Sequence, residues 1–319
     1  MRHWPASLFK RLALSAALIG AAFFAFAQNQ RPTDQLYAVL VQAEENGWNA
    51  GLRVQAAGLY IEMDELNAAL AHWEAALLLA PDDELLMRRT AELYIQRGRW
   101  PEALTAVRRL LGAVPDDAWA NLHLGMILSA SAPDEAAGAL RRAAQAGLPP
   151  PDELIIVLET ERANPGGLAL EVGAVFADAG LYAYAERSFE LAATLNVSAR
   201  GEALASVGLM RGLQGKDGQR WIDAGAAAAP ESPQVHMAAG LYYRATGQDF
   251  ESLQAFAAAV SAAPLDPELY TELARSYALI GDGISAAYWY GEAARIAPGD
   301  PRYAELHQTA SATLTPLAP

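Results

Sequence analysis

Large apolar and aromatic residues return along this chain at a nearly constant interval. Tyr60, Tyr94, Leu128, Phe176, Leu209, Tyr243 and Tyr277 are spaced 34, 34, 48, 33, 34 and 34 residues apart. Three residues before each stands a small one: Ala57, Ala91, Gly125, Gly173, Ser206, Gly240 and Ala274. A third column, thirteen residues after the first, holds Trp73, Val107, Phe189, Ile222, Phe256 and Tyr290, and slips by one to Leu140 in the third copy. Prolines keep the same beat at Pro81, Pro115 and Pro149, and again at Pro230, Pro264 and Pro298. The 81 residues between the two sets hold one repeat without the proline and an insertion. A period of this length marks stacked supersecondary units, each able to bury its apolar face only against its neighbours.

Two helices per period follow from the residue types. A small residue lets two helix axes approach closely while the large one fills the space beside them. Asp266-Pro267 and Ser232-Pro233 set a capping oxygen before a proline at the first helical position. Asp82-Asp83 and Asp116-Asp117 recur at one turn after a proline, so they read as helix caps and not as an acid/base pair. Gly98, Gly180, Gly247 and Gly281 fall where the first helix must end and turn. Asp64 and Asp249 are expected to cap second helices. The period-marking prolines stop those helices, because proline lacks an N–H.

The fullest copies are Gly240…Tyr243…Gly247…Phe256…Ala259…Pro264 and Ala274…Tyr277…Gly281…Ala286…Tyr290…Ala293…Pro298. This pattern resembles the tetratricopeptide repeat, a 34-residue helix–turn–helix unit, and does so over about residues 50 to 300. One feature departs from it: the family's tryptophan early in the first helix is replaced by Arg53, Met87, Asn121, Ala169, Glu202, His236 and Tyr270. The resemblance implies an all-α fold, a right-handed α-solenoid of about seven such repeats. Repeats one to three would occupy 50–151, an inserted helix 152–165, repeats four to seven 166–300, and a C-terminal cap and tail 301–319. A capping helix would lie within 28–49. The insertion, carrying Leu154-Ile155-Ile156-Val157-Leu158 after Pro149-Pro150-Pro151, would divide the array. Within the repeat at Ala199 to Ser232, Gly218 and Gly225 stand where alanine is usual, which suggests looser packing.

Residues 1–27 read as a signal peptide. Arg2, His3, Lys10 and Arg11 precede an uncharged apolar run from Leu12 to Phe24, and Ala25-Phe26-Ala27 offers a small-x-small cleavage site. The 16 residues from Leu12 to Ala27 fall short of the roughly 20 that span a bilayer. The chain is therefore expected to be exported to a periplasm, a cell surface or the medium. An anchor through residues 12–27 is the alternative, and membrane association is expected only if that segment stays uncleaved. The formal charge is −14, and losing residues 1–27 removes three cations and no carboxylate. Such an acidic surface repels phosphate backbones and argues against nucleic acid as a partner. There is no cysteine, hence no disulfide, thiolate metal site or lipid attachment at one.

Nothing in the sequence points to catalysis. His72, His123, His236 and His307 lack zinc-ligand spacing. No Gly-x-Ser-x-Gly elbow occurs, and the Gly215-Lys216 pair lacks both the earlier glycine and the following hydroxyl of a phosphate loop. No cofactor or metal is expected.

In the resembled family, first helices line a concave groove that binds peptides or protein segments. Carried over by register, the positions here are Arg88, Glu92 and Gln96, then Trp119 and Met126, then Arg211, Met237, Leu241, Arg244 and Arg275. The three last-named arginines would grip acidic side chains or a terminal carboxylate bidentately, or else pair with a nearby carboxylate such as Glu272. On the first of these readings, changing all three to Glu weakens partner capture without unfolding the chain. The family's carboxylate clamp is missing: its places hold Val54, Gly58, Arg88 and Glu92. The reading is a non-catalytic protein–protein interaction scaffold, with the role of an envelope assembly factor as the narrower expectation. An enzyme or carbohydrate-binding protein using the same groove is the alternative.

Overall fold

The computed structural model describes residues 31–313. The signal-peptide reading of 1–27 and the last residues of the tail, 314–319, lie outside them. Among the described residues every regular element is an α-helix, and no helix is long and apolar enough to cross a membrane. They form two compact units, one ending at Ala113 and one beginning at Val114.

The first unit holds α1 (Pro32–Asn46), α2 (Ala50–Glu62), α3 (Leu66–Leu79), α4 (Glu84–Gln96) and α5 (Trp100–Ala113). Helix α1 lies where an N-terminal cap is expected, and its Val39 and Ala43 are buried with Leu52, Ala56 and Leu59 of α2. The α2–α3 hairpin buries Ala57, Leu70, Trp73 and Ala76 together with Leu86 and Leu93 of α4. One hairpin thus closes its core on the first helix of the next. Asp83 caps α4, accepting from the N–H groups of Leu85 and Leu86 at 3.0 and 3.1 Å.

The second unit begins with α6 (Ala118–Leu128), α7 (Pro133–Gln145), α8 (Leu154–Thr160), α9 (Pro165–Asp178), α10 (Tyr182–Leu195) and α11 (Arg200–Leu213). It continues with α12 (Gln219–Ala228), α13 (Pro233–Ala245), α14 (Asp249–Ala262), α15 (Pro267–Leu279), α16 (Gly283–Ile296) and α17 (Pro301–Ala312). One of its core clusters runs through four successive helices: Phe256 and Ala259 of α14, Leu269, Tyr270 and Leu273 of α15, Ala293 of α16 and Tyr303 of α17. The last described helix, α17, lies where a C-terminal cap is expected, and its buried residue is Tyr303.

The turn inside each hairpin explains why the first column and the glycines travel together. The carbonyls of Tyr94, Phe176, Tyr243 and Tyr277 accept a backbone bond from the residue just past the turn glycine, at 2.8, 2.8, 2.8 and 3.0 Å. That closure needs a left-handed residue, and Gly98, Gly180, Gly247 and Gly281 supply it at φ 68°, 71°, 75° and 84°. In the α2–α3 hairpin the same place is Asp64, at φ 60°, and the Tyr60 carbonyl accepts from Glu65 at 2.8 Å. Asp64 is therefore a turn residue and not the cap expected of it. Nor does Asp249 cap α14: it is the first helical residue, behind Gln248.

Two further expectations are corrected. The inserted helix does not divide the array but lies within the second unit. Leu154 and Leu158 of α8 are fully buried, and the ion pairs Arg141–Glu159 and Arg162–Asp134 join α8 and its C-terminal turn to α7. The glycine-rich hairpin α11–α12 is packed tightly, not loosely. A Cβ added to Gly218 would stand 2.3 Å from the Gly208 carbonyl oxygen, and one on Gly225 would stand 2.8 Å from that of Gly201. Backbone meets backbone there, so the glycines are what permit the approach.

Candidate partner-binding face

In the first unit the register positions belong to α4. Its buried side is set by Leu86, Met87, Thr90, Ala91, Leu93 and Ile95, which leaves the remaining side to solvent. On that other side Gln96 is exposed and Leu85 is 59% exposed. Arg88 and Glu92 are half-buried, and Glu92 accepts from Arg89 at 2.8 Å. Behind them the next turn is fixed by a polar knot. The Tyr94 hydroxyl donates to Glu74 at 2.9 Å, and Arg99 reaches both Glu74 and Glu102 at 3.1 and 2.8 Å. Burial and the Glu74 carboxylate push the Tyr94 hydroxyl up to about 12.

In the second unit Trp119 is half-buried and lies against the His123 ring, centroids 4.2 Å apart. His123 Nδ1 and the Tyr184 hydroxyl are 2.5 Å apart, and Tyr184 packs on Phe176. This ring contact links α6 to α9 and α10 past the inserted helix. Met126, expected to line the groove, is a core residue, 5% exposed. The cause is the composition of α6, in which Ala120, Leu124, Ile127 and Leu128 are buried as well. A helix this rich in apolar residues buries most of its surface, and Met126 falls within the buried part. Met237 and Leu241 lie partly buried against the Phe256 cluster.

The three arginines are engaged within the chain. Arg211 donates to Glu186 at 2.6 Å and to the Asp217 carbonyl at 2.8 Å. Glu186 also receives Gln214 at 2.8 Å and Lys216 at 3.3 Å. Arg244 and Arg275 both pair with Glu272, Arg244 at 2.5 Å, and the Arg244 guanidinium lies 5.2 Å from the Phe256 ring centroid. Glu186 and Glu272 are buried, whereas Arg275 is half exposed. Reversing all three charges would face Glu186 and Glu272 with carboxylates, which bears against the expectation that the fold survives. Near the first of these networks burial, then Glu186, raises the pKa of Glu190, and burial lowers that of Arg187.

Sequence reasoning named Glu272 as a possible partner but missed Glu186, Gln214 and Lys216. Glu186 lies three residues before its repeat's large third-column residue, and Glu272 two before its repeat's small one, so no column contains both. Among the described residues no cluster of His, Asp and Glu could hold a metal ion.

Residues 64–124 match the family model of the tetratricopeptide repeat. No curated protein matches the chain. Among solved structures, a tetratricopeptide repeat protein from Parabacteroides merdae is 13% identical, with 82% of this chain and 98% of that one covered and a TM-score of 0.39. PilW, a type IV pilus biogenesis factor, is 19% identical over 83% and 98%, with a TM-score of 0.31. YrrB, a tetratricopeptide repeat protein with an unusual peptide-binding site, is 17% identical over 86% and 98%, with a TM-score of 0.30.

Proposed function

We propose that this chain is a non-catalytic scaffold that holds a protein or peptide partner on the outward sides of its first helices. The observation that carries the reading is the hairpin repeat itself. The first helix α4 spends one side on its neighbours and leaves another to solvent, with Leu85, Arg88, Glu92 and Gln96 on it, and α15 leaves Arg275 exposed. Surfaces of this kind, mixing an exposed apolar residue with bidentate donors and acceptors, suit an extended or helical segment of a protein. In the second unit Trp119, Leu241 and Arg275 are the contact residues. Arg211 and Arg244 support the face from behind. The partner sits in the cell envelope or outside the cell, reached by export through residues 1–27 or by anchoring through 12–27, and the chain assists assembly of a larger complex there.

The test is affinity capture by the full chain from envelope and culture fractions, with the retained molecules identified. A defined protein retained by the unaltered chain and lost on changing Leu85, Arg88 and Gln96 to Glu supports the reading. Retention of only a glycan or small molecule overturns it. N-terminal sequencing of the exported product separates cleavage after Ala27 from a retained anchor.

A further inference from the structure

One cluster that the binding face does not use surrounds His72 in α3. Its ring lies 5.1 Å from that of Trp48, in the turn between α1 and α2, and 5.3 Å from that of Tyr60 in α2. The Arg53 guanidinium sits 4.0 Å above the Trp48 ring. Trp48 and Tyr60 in turn pack on the α1–α2 core of Val39, Ala43, Leu52, Ala56 and Leu59. His72 is thus the contact from α3 that backs the ring holding α1 in place. Its Nδ1 is buried and has no hydrogen-bond partner.

A neutral imidazole tolerates this, because its proton can reside on Nε2 and leave a bare lone pair at Nδ1. An imidazolium cannot: Nδ1 must then carry an N–H with no acceptor, next to a second cation sharing the same Trp ring. The geometry points to a pH-sensitive latch, in which proton uptake by His72 loosens Trp48 and releases α1 from the first hairpin.

The surrounding charges agree in sign. From α2, Arg53 and Tyr60 face the ring; from the turn, Trp48 does, and it does not titrate. On its own helix Glu74 is turned to Tyr94 and Arg99, and Arg97 of the turn after α4 is bound to Asn67. The α1 carboxylates Glu44 and Glu45 are exposed. Burial first, and Arg53 second, lower the His72 pKa. A histidine whose folded pKa is lowered gives stability that is complete above its ordinary value and is lost as pH falls from there through the lowered folded one.

The experiment is hydrogen–deuterium exchange of the full chain above and below the histidine range, at about pH 7.5 and about pH 5.5, corrected for intrinsic rates. Amides of α1 and α2 should lose protection severalfold at the lower pH, while those of α14 and α15 keep theirs. In His72→Gln the loss should disappear. Equal loss in both chains, or none in the unaltered one, overturns the proposal. Should the variant fail to fold, NMR titration of His72 in the unaltered chain decides: a pKa at or above the ordinary histidine value refutes the latch.

Discussion

Two successive hairpins of the second unit solve one packing problem in opposite ways. In α13–α14 a ring does the filling: Phe256 is fully buried, and a Cβ on Gly240 would meet that ring at 2.8 Å. In α11–α12 the large residue is only Ile222, and four glycines bring the two backbones together instead. Each carries an arginine near the end of its first helix, yet Arg211 reaches back to Glu186 of α10 and Arg244 reaches forward to Glu272 of α15. The same register can therefore be spaced by a side chain or by the lack of one, and can be tied to either neighbour.

The largest expected effect removes the spacer. Phe256→Ala should cost about 3–5 kcal/mol in unfolding experiments, because a buried cavity is left between helices held apart. A cost below that of Ile222→Ala would contradict the ring-spaced account of α13–α14. Next comes charge. Arg244→Glu sets a carboxylate against buried Glu272 and should cost about 3 kcal/mol. Arg211→Glu should cost less, since Lys216 and Gln214 both still serve Glu186, whereas Glu272 keeps only the half-exposed Arg275. Equal losses in thermal melts would remove the distinction between the two arginines. Gly218→Ala should cost about 1–3 kcal/mol, since its Cβ meets backbone, and should exceed Gly240→Ala, where a ring tip can shift.

Two smaller predictions extend the contrast to other hairpins. Asp64→Gly should stabilise the first unit by about 0.5–1 kcal/mol, because it restores the residue that the left-handed turn favours at Gly98. Glu190→Gln should stabilise slightly at neutral pH. The folded pKa of Glu190 is raised, so the unaltered chain itself gains stability as pH falls through the carboxylate range, and the variant's advantage fades there.

Most of the fold was legible because its determinants are local. The recurrence of Tyr94 with Gly98, or Tyr243 with Gly247, encodes one turn bond, and Asp83 and Asp117 encode caps seen at 3.0 and 2.7 Å. The site was legible only as a choice of helix. Whether Met126 faces solvent depends on how completely α6 is covered, and the partners of Arg211 and Arg244 come from unlike register positions on other repeats. The tight α11–α12 seam misled for a related reason. Glycine reads as weak helix packing in isolation, but opposed glycines at Gly208 and Gly218 permit contact that alanine forbids.

Site-specific photo-crosslinking addresses the binding face itself. A photoreactive residue placed in turn at Leu85, Gln96 and Arg275, on first helices, and at Arg108 and Tyr288, exposed on second helices, would report which side meets the captured partner. The account predicts adducts from the first-helix positions and none from Arg108 or Tyr288. Adducts confined to the second-helix positions would contradict it.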